Sequence, residues 1–120
     1  QNTGYIYPRT DNGWTNSVFY LHIGGWSTLS ATWPSRNAWH HTVGVYDGAK
    51  MYIYINGVLS TSKNQTGNIS TNTNNLAIGN QPGFSEYYNG RVAKCAVYNR
   101  ALSATEIKQN YNATKGRYNL

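Results

Sequence analysis

The run Trp39-His40-His41-Thr42-Val43-Gly44-Val45-Tyr46-Asp47-Gly48-Ala49-Lys50-Met51-Tyr52-Ile53-Tyr54-Ile55-Asn56-Gly57 constrains the fold more than any other part of the chain. It holds two strand patterns, each closed by a turn signal. Val43 and Val45 alternate with Thr42, Gly44 and Tyr46 before Asp47-Gly48 breaks the pattern. Met51, Ile53 and Ile55 then alternate with Tyr52 and Tyr54, and Asn56-Gly57 ends that stretch. A period of two places successive side chains on opposite faces of a sheet. Asp-Gly and Asn-Gly accept the positive φ that tight hairpins need. An antiparallel meander over about 39–61 follows, with Met51, Ile53 and Ile55 on the core side.

Other segments fit the same all-β class. Tyr5-Ile6-Tyr7 reads as a short strand. Val18–Ile23 and Thr28–Trp33 read as two strands joined by Gly24-Gly25. Residues 63–75 form a polar Asn/Thr/Ser loop with Ile69 as its one large apolar residue, a length that often marks a functional loop. Leu76–Gly79 and Tyr88–Tyr98 carry strand patterns, the second a long one. Ser103-Ala104-Thr105-Glu106 is a capping box that opens a short helix over about 104–111. Leu102, Ile107 and Tyr111 dock that helix on the sheet, and the polar, basic tail beyond it is expected to make a contact. Eleven Tyr, four Trp and twelve Gly, with abundant Asn, Ser and Thr, suit strands and turns.

Two ordered blocks carry a family resemblance. The first is Trp39, His40, Tyr46-Asp47-Gly48 and Tyr54-Ile55-Asn56-Gly57. The second is Leu76-Ala77-Ile78-Gly79, Tyr88-Asn89-Gly90-Arg91-Val92, Val97-Tyr98-Asn99-Arg100-Ala101-Leu102-Ser103 and Glu106-Ile107. Together they resemble laminin G-like domains of the concanavalin A-like lectin and glucanase superfamily. The resemblance implies one domain over 1–120, an antiparallel jelly-roll β-sandwich with a short C-terminal helix. Such domains place further core strands ahead of the Trp-His-His strand, so this chain is expected to lack its first strands and to be the C-terminal part of a longer one. An upstream segment or a neighbouring subunit is expected to supply them. The ending Ile107–Tyr118 also resembles laminin G-like domains of tailed-phage structural proteins.

This fold hosts many functions, so function must come from the side chains. Catalysis is disfavoured. Glycoside hydrolysis uses two carboxylates about 5–10 Å apart, and the chain has only Asp11, Asp47, Glu86 and Glu106. Asp47 belongs to a turn and Glu106 to the helix cap. His40 and His41 are strand neighbours, so they point to opposite faces and cannot share a metal; His22 has no partner at a useful spacing. No cofactor is expected. Relatives that bind calcium carry acidic residues after the position of Val92, where this chain has Ala93-Lys94; only a weak calcium site built on Asp47 or loop carbonyls remains. Cys95 is the single cysteine and is expected to be a buried free thiol. Ten basic and four acidic residues give a net charge of +6; the basic residues are scattered, the usual pattern of a solvated surface, with attraction to acidic glycans, nucleic acid or an acidic protein surface as the functional alternative, and no nucleic-acid motif supports the second of these. No apolar run approaches the roughly 20 residues of a membrane span.

Exposed aromatic rings stack on sugars or anchor protein contacts. Tyr52, Tyr54, Trp14, Trp26, Tyr87 and Tyr88 are the candidate ligand-binding residues, and Trp33 and Trp39 are assigned to the core. The expected role is a non-enzymatic recognition or assembly module. The first form is a virion-surface protein, a capsid decoration or tail-fibre module, in a homo-oligomer or with other structural subunits, that also touches surface glycans. The second is a carbohydrate-binding or adhesion module of a secreted or cell-surface bacterial protein. Neither reading calls for nucleic acid or a membrane.

Overall fold

The computed structural model describes residues 4–9, 16–73, 76–79, 88 and 90–119, with backbone only at 5 and 7–9. Two antiparallel three-stranded sheets pack face to face. The first holds β1 (Gly4–Arg9), β2 (Asn16–His22) and β3 (Trp26–Thr32) in that order. The second holds β4 (Thr42–Tyr46), β5 (Lys50–Ile55) and β6 (Val58–Asn64). Helix α1 (Ala104–Tyr118) follows. Both sheets are meanders, so each strand pairs with its sequence neighbour, as the turn signals require.

The core is the interface between the sheets. Phe19, Leu21, Leu29 and Ala31 from the first meet Met51, Ile53 and Ile55 from the second. Met51 and Ile53 are completely buried. Gly44 lies opposite Ile53 on this inner face. A Cβ there would stand 3.0 Å from the Phe19 ring, so glycine makes the room that the ring fills.

The outer face of the second sheet is covered by α1. Val45 and Tyr54 pack with Leu102 and Ile107, and Val43 and Tyr52 lie against them. The helix begins as the capping box demands: Glu106 N–H donates to Ser103 Oγ at 3.2 Å, and Ser103 N–H donates to the Glu106 carboxylate at 3.3 Å. It runs further than the expected stop at 111. Asn119, at φ 54°, closes it with its N–H on the Lys115 carbonyl. The tail is therefore helical, and Tyr118 meets Trp39 at 5.3 Å between ring centroids.

The Asn56-Gly57 hairpin sits under this helix. Both residues have positive φ, 52° and 78°, the geometry of the two-residue turn whose twist matches the strands. Asn56 Oδ1 also accepts the His41 N–H at 2.9 Å.

Three expectations fail. Residues 76–79 and 90–98 form no ladder with described residues. Their apolar side chains are exposed instead: Leu76, Ile78, Val92, Val97 and Tyr98. Alternation supplies two faces but no partner strand. Cys95, in the second of these segments, is exposed for the same reason. Trp33 packs against the core, but Trp39 is exposed beside Tyr118.

Candidate functional site: the open face of the first sheet

Among the described residues no helix covers the face of the first sheet that points away from the core, although Val18 on that face is only 3% exposed. Register assigns it Asn16, Val18, Tyr20 and His22 from β2, opposite Thr32, Ser30, Thr28 and Trp26 from β3. Thr28, Ser30 and Thr32 are exposed. Trp26 is 46% exposed although it is the largest side chain on the sheet. It stands opposite His22 at the end of the hairpin, just past Gly24 at φ 66°. The His22 ring lies 5.1 Å from Trp26 and the Tyr20 ring 6.3 Å, both at 84°. Edge-to-face packing of this kind favours fixed ring orientations.

The loop after β6 secures one side of this cluster. Ser70 Oγ hydrogen-bonds His22 Nδ1 at 2.8 Å, and Ser70 N–H donates to the His22 carbonyl at 2.9 Å. Ser27 Oγ donates to Gln65 Oε1 at 2.7 Å, and the Tyr46 hydroxyl donates to the Gly67 carbonyl. Gly67, at φ 116°, lies so close that a Cβ would stand 2.7 Å from Ile23. Asn68 and Ile69 remain exposed at the tip. Around Trp26 the described side chains are rings, hydroxyls and amides, rimmed by an anchored polar loop.

Both described carboxylates lie elsewhere and serve local structure. Asp47 Oδ1 accepts the Ala49 and Lys50 N–H groups at 2.9 and 2.7 Å, and its Oδ2 accepts the Tyr52 hydroxyl at 3.0 Å. Those backbone bonds hold its pKa below the ordinary carboxylate value. Glu106 accepts two bonds from the Arg100 guanidinium besides its role in the cap, and its pKa falls to about 2. The engaged oxygens of Asp47 leave a calcium ion little to bind. Among the described residues no group of three or more His, Cys, Asp or Glu converges on a point. His40 and His41 do diverge. His40 Nε2 donates to the Ser35 carbonyl at 2.8 Å, whereas His41 lies beside Tyr111 at 6.0 Å between rings.

Comparison with known proteins fits this architecture. A family model for the concanavalin A-like lectin/glucanases superfamily matches residues 2–108. The chain belongs to this superfamily. A crystal structure of part of an S-layer domain-containing protein from Clostridium thermocellum ATCC 27405 is similar at 19% identity, with a TM-score of 0.49. The match covers 92% of this chain and 58% of that one, so this chain spans little more than half its length. No curated protein sequence is significantly similar.

Within this concanavalin A-like sandwich the six candidate residues do not form one site. Trp26 lies on the open face. Tyr52 lies on the far side of the sandwich, on the sheet face that α1 covers, with its hydroxyl on Asp47. Tyr54 is corrected from surface to core: it is 8% exposed, enclosed by Val45, Leu102 and Ile107. Tyr88 is half-buried, its N–H donating to the Gly79 carbonyl at 2.8 Å. Trp14 and Tyr87 lie outside the described residues, as do Asp11 and Glu86. Tyr20 and His22 were not singled out as binding residues. The hairpin pairing identifies them, because a turn at Gly24-Gly25 puts Trp26 opposite His22 and on the same face as Tyr20.

Proposed function

We propose that this chain is a non-catalytic carbohydrate-recognition module of an extracellular or cell-surface protein, with Tyr20, His22 and Trp26 as its platform. The observation that carries this reading is a large indole, 46% exposed and braced by two rings, flanked by Thr28, Ser30 and the Asn68 loop. A sugar presents an apolar C–H face and a rim of hydroxyls. An aromatic ring beside hydroxyl and amide groups matches both parts. Hydrolysis would need a carboxylate pair, and both described carboxylates are committed to a turn and a helix cap. The virion-surface reading rests on the C-terminal resemblance alone, and no feature of the sandwich favours it.

The test is a glycan array followed by calorimetric titration of the best hit. Trp26→Ala is expected to raise Kd at least about tenfold, the loss typical of a central aromatic anchor, while the protein still unfolds cooperatively at a modestly lower melting temperature, since the Tyr20 and His22 contacts are lost. Binding by Trp26→Ala at wild-type affinity refutes the assignment, as does an array on which nothing binds.

A further inference from the structure

We infer that the two adjacent histidines ahead of β4, His40 and His41, form an acid-released latch that holds α1 on the second sheet. The segment before β4 and the turn after β5 meet the helix at three points. Trp39 meets Tyr118 and His41 meets Tyr111, at 5.3 and 6.0 Å between ring centroids. The third point is Gly57, so close to the helix that a Cβ there would stand 2.8 Å from Tyr111 Cδ1 and 3.1 Å from Lys108 Cδ. Asn56 ties these points together. Its Oδ1 accepts the His41 N–H at 2.9 Å, which leaves its Nδ2 as a donor. That Nδ2 lies 3.3 Å from His40 Nδ1. The other ring nitrogen of His40, Nε2, is 2.8 Å from the Ser35 carbonyl, which can only accept. The two partners fix one tautomer: the proton of His40 is on Nε2, and its Nδ1 accepts from Asn56.

Protonation undoes both sides of this arrangement. A second proton on His40 sits on Nδ1 and faces the Asn56 N–H, so the bond that braces the turn becomes a donor–donor clash. The Asn56 amide cannot flip to relieve it without turning its own N–H groups on the His41 N–H. His41 meets a different obstacle. Its Nδ1 is buried and has no hydrogen-bond partner among the described residues. A charged ring would carry an N–H there with nothing to accept it. Burial first, and then the Lys94 charge, lowers the pKa of His41. The Tyr111 ring beside it already has the ammonium groups of Lys108 and Lys115 at 5.5 and 5.7 Å from its centroid. The His40 ring meets Trp33, at 5.3 Å between centroids, with Ser35 and Asn56, and none of these titrates. Both described carboxylates are engaged elsewhere, Asp47 in its own turn and Glu106 with Arg100 and the helix cap. Acid therefore sets two like charges side by side beneath the helix, with no anion to offset them. The core of Phe19, Leu29, Met51 and Ile53 lies on the other side of the second sheet. The helix is thus released before the sandwich opens, and its release uncovers Val45 and Tyr54.

Hydrogen exchange read by mass spectrometry tests the latch on the whole chain between about pH 7.5 and about pH 5, the range over which histidine titrates. Rates are corrected for the intrinsic pH dependence of exchange. Protection of the α1 amides is expected to fall at least about tenfold over that range, the effect of one pKa unit or one lost hydrogen bond. Strands β2 and β5 are expected to keep their protection. In Lys94→Gln the midpoint of the fall is expected to move to higher pH, because one cause of the lowered His41 pKa is gone. His40→Gln/His41→Phe keeps a ring against Tyr111 and removes both titrating groups, so its α1 protection is expected to be independent of pH. Lys94 is exposed and outside the three contact points, so Lys94→Gln decides the question even where the double variant does not fold. Equal α1 protection at both ends of the range overturns the inference. So does loss of protection in α1 and β5 together, a fall that persists in the double variant, or an unmoved midpoint in Lys94→Gln.

Discussion

Gly57→Ala tests the seating of the Asn56-Gly57 turn beneath α1. Two penalties add at this position. Gly57 has φ 78°, where an alanine costs about 1–2 kcal/mol of backbone strain. Its new methyl would stand 2.8 Å from Tyr111 Cδ1 and 3.1 Å from both Tyr111 Cβ and Lys108 Cδ. Overpacking of this kind costs about 1–3 kcal/mol, toward the lower end here because the obstacles are side chains. Alanine also stiffens the unfolded chain, which returns about 0.4–1 kcal/mol. The net expectation is a loss of about 1–2.5 kcal/mol. Gly48→Ala is the control. Its φ is 89°, but a Cβ there meets nothing within 4 Å. It incurs the strain alone, and should lose about 1 kcal/mol or less after the unfolded-state offset. Urea unfolding followed by tryptophan fluorescence reads both as midpoint shifts at constant m-value. In a Tyr111→Ala background the excess loss at Gly57 is expected to shrink, because the 2.8 Å contact with Cδ1 is removed while Lys108 Cδ and the Cβ of residue 111 stay. Equal losses for Gly57→Ala and Gly48→Ala, or an undiminished excess without Tyr111, would refute the claim that the helix bears on this turn.

Tyr54→Ala is expected to cost about 3 kcal/mol in thermal or urea unfolding, as a buried aromatic truncation does, and Ile53→Asp is expected to prevent folding; a Tyr54→Ala protein as stable as wild type would mean that α1 does not lie on this face. The pKa of His41 is depressed, first by burial and then by Lys94, so the unfolded chain binds its proton more readily. Stability is therefore expected to fall as pH drops through the ordinary histidine value toward the lower folded one, and His41→Gln should flatten that part of the profile of urea midpoint against pH; an unchanged slope would assign it to other groups.

The Asn56-Gly57 and Asp47-Gly48 turns, the strands between them and the Ser103 cap were legible because each is encoded locally. A φ requirement, an alternation or a hydrogen-bond pair three residues apart needs no knowledge of the rest of the chain. The failures concern what covers a face or pairs with an edge. Leu76–Gly79 and Tyr88–Tyr98 alternate like strands, but alternation names no partner, and the described parts of these segments expose their apolar side chains. Tyr54 was read as a surface residue from its parity with Tyr52. The parity holds; the error was to equate the side away from Met51, Ile53 and Ile55 with solvent, when α1 lies there.

A stricter reading of the same alternation separates the two sheets. In β3, Trp26-Ser27-Thr28-Leu29-Ser30-Ala31-Thr32, the positions facing the other sheet are Ser27, Leu29 and Ala31, all buried. The opposite positions hold Thr28, Ser30 and Thr32, all hydroxyl side chains and all exposed. That gives β3 one wet face, whereas on the same face of β2 Val18 is only 3% exposed. In β5, Met51, Ile53 and Ile55 alternate with Tyr52 and Tyr54, so the strand is large and apolar or aromatic on both sides. A strand of that kind needs cover on both faces, and the chain supplies it with Leu102 and Ile107. The open face is therefore encoded in β3 by what stands between its apolar residues. An indole on that face, at Trp26, breaks the hydroxyl pattern at one point. The proposed binding role rests on that exception: the ring is held by Tyr20 and His22 yet stays 46% exposed, which leaves apolar area available to a partner.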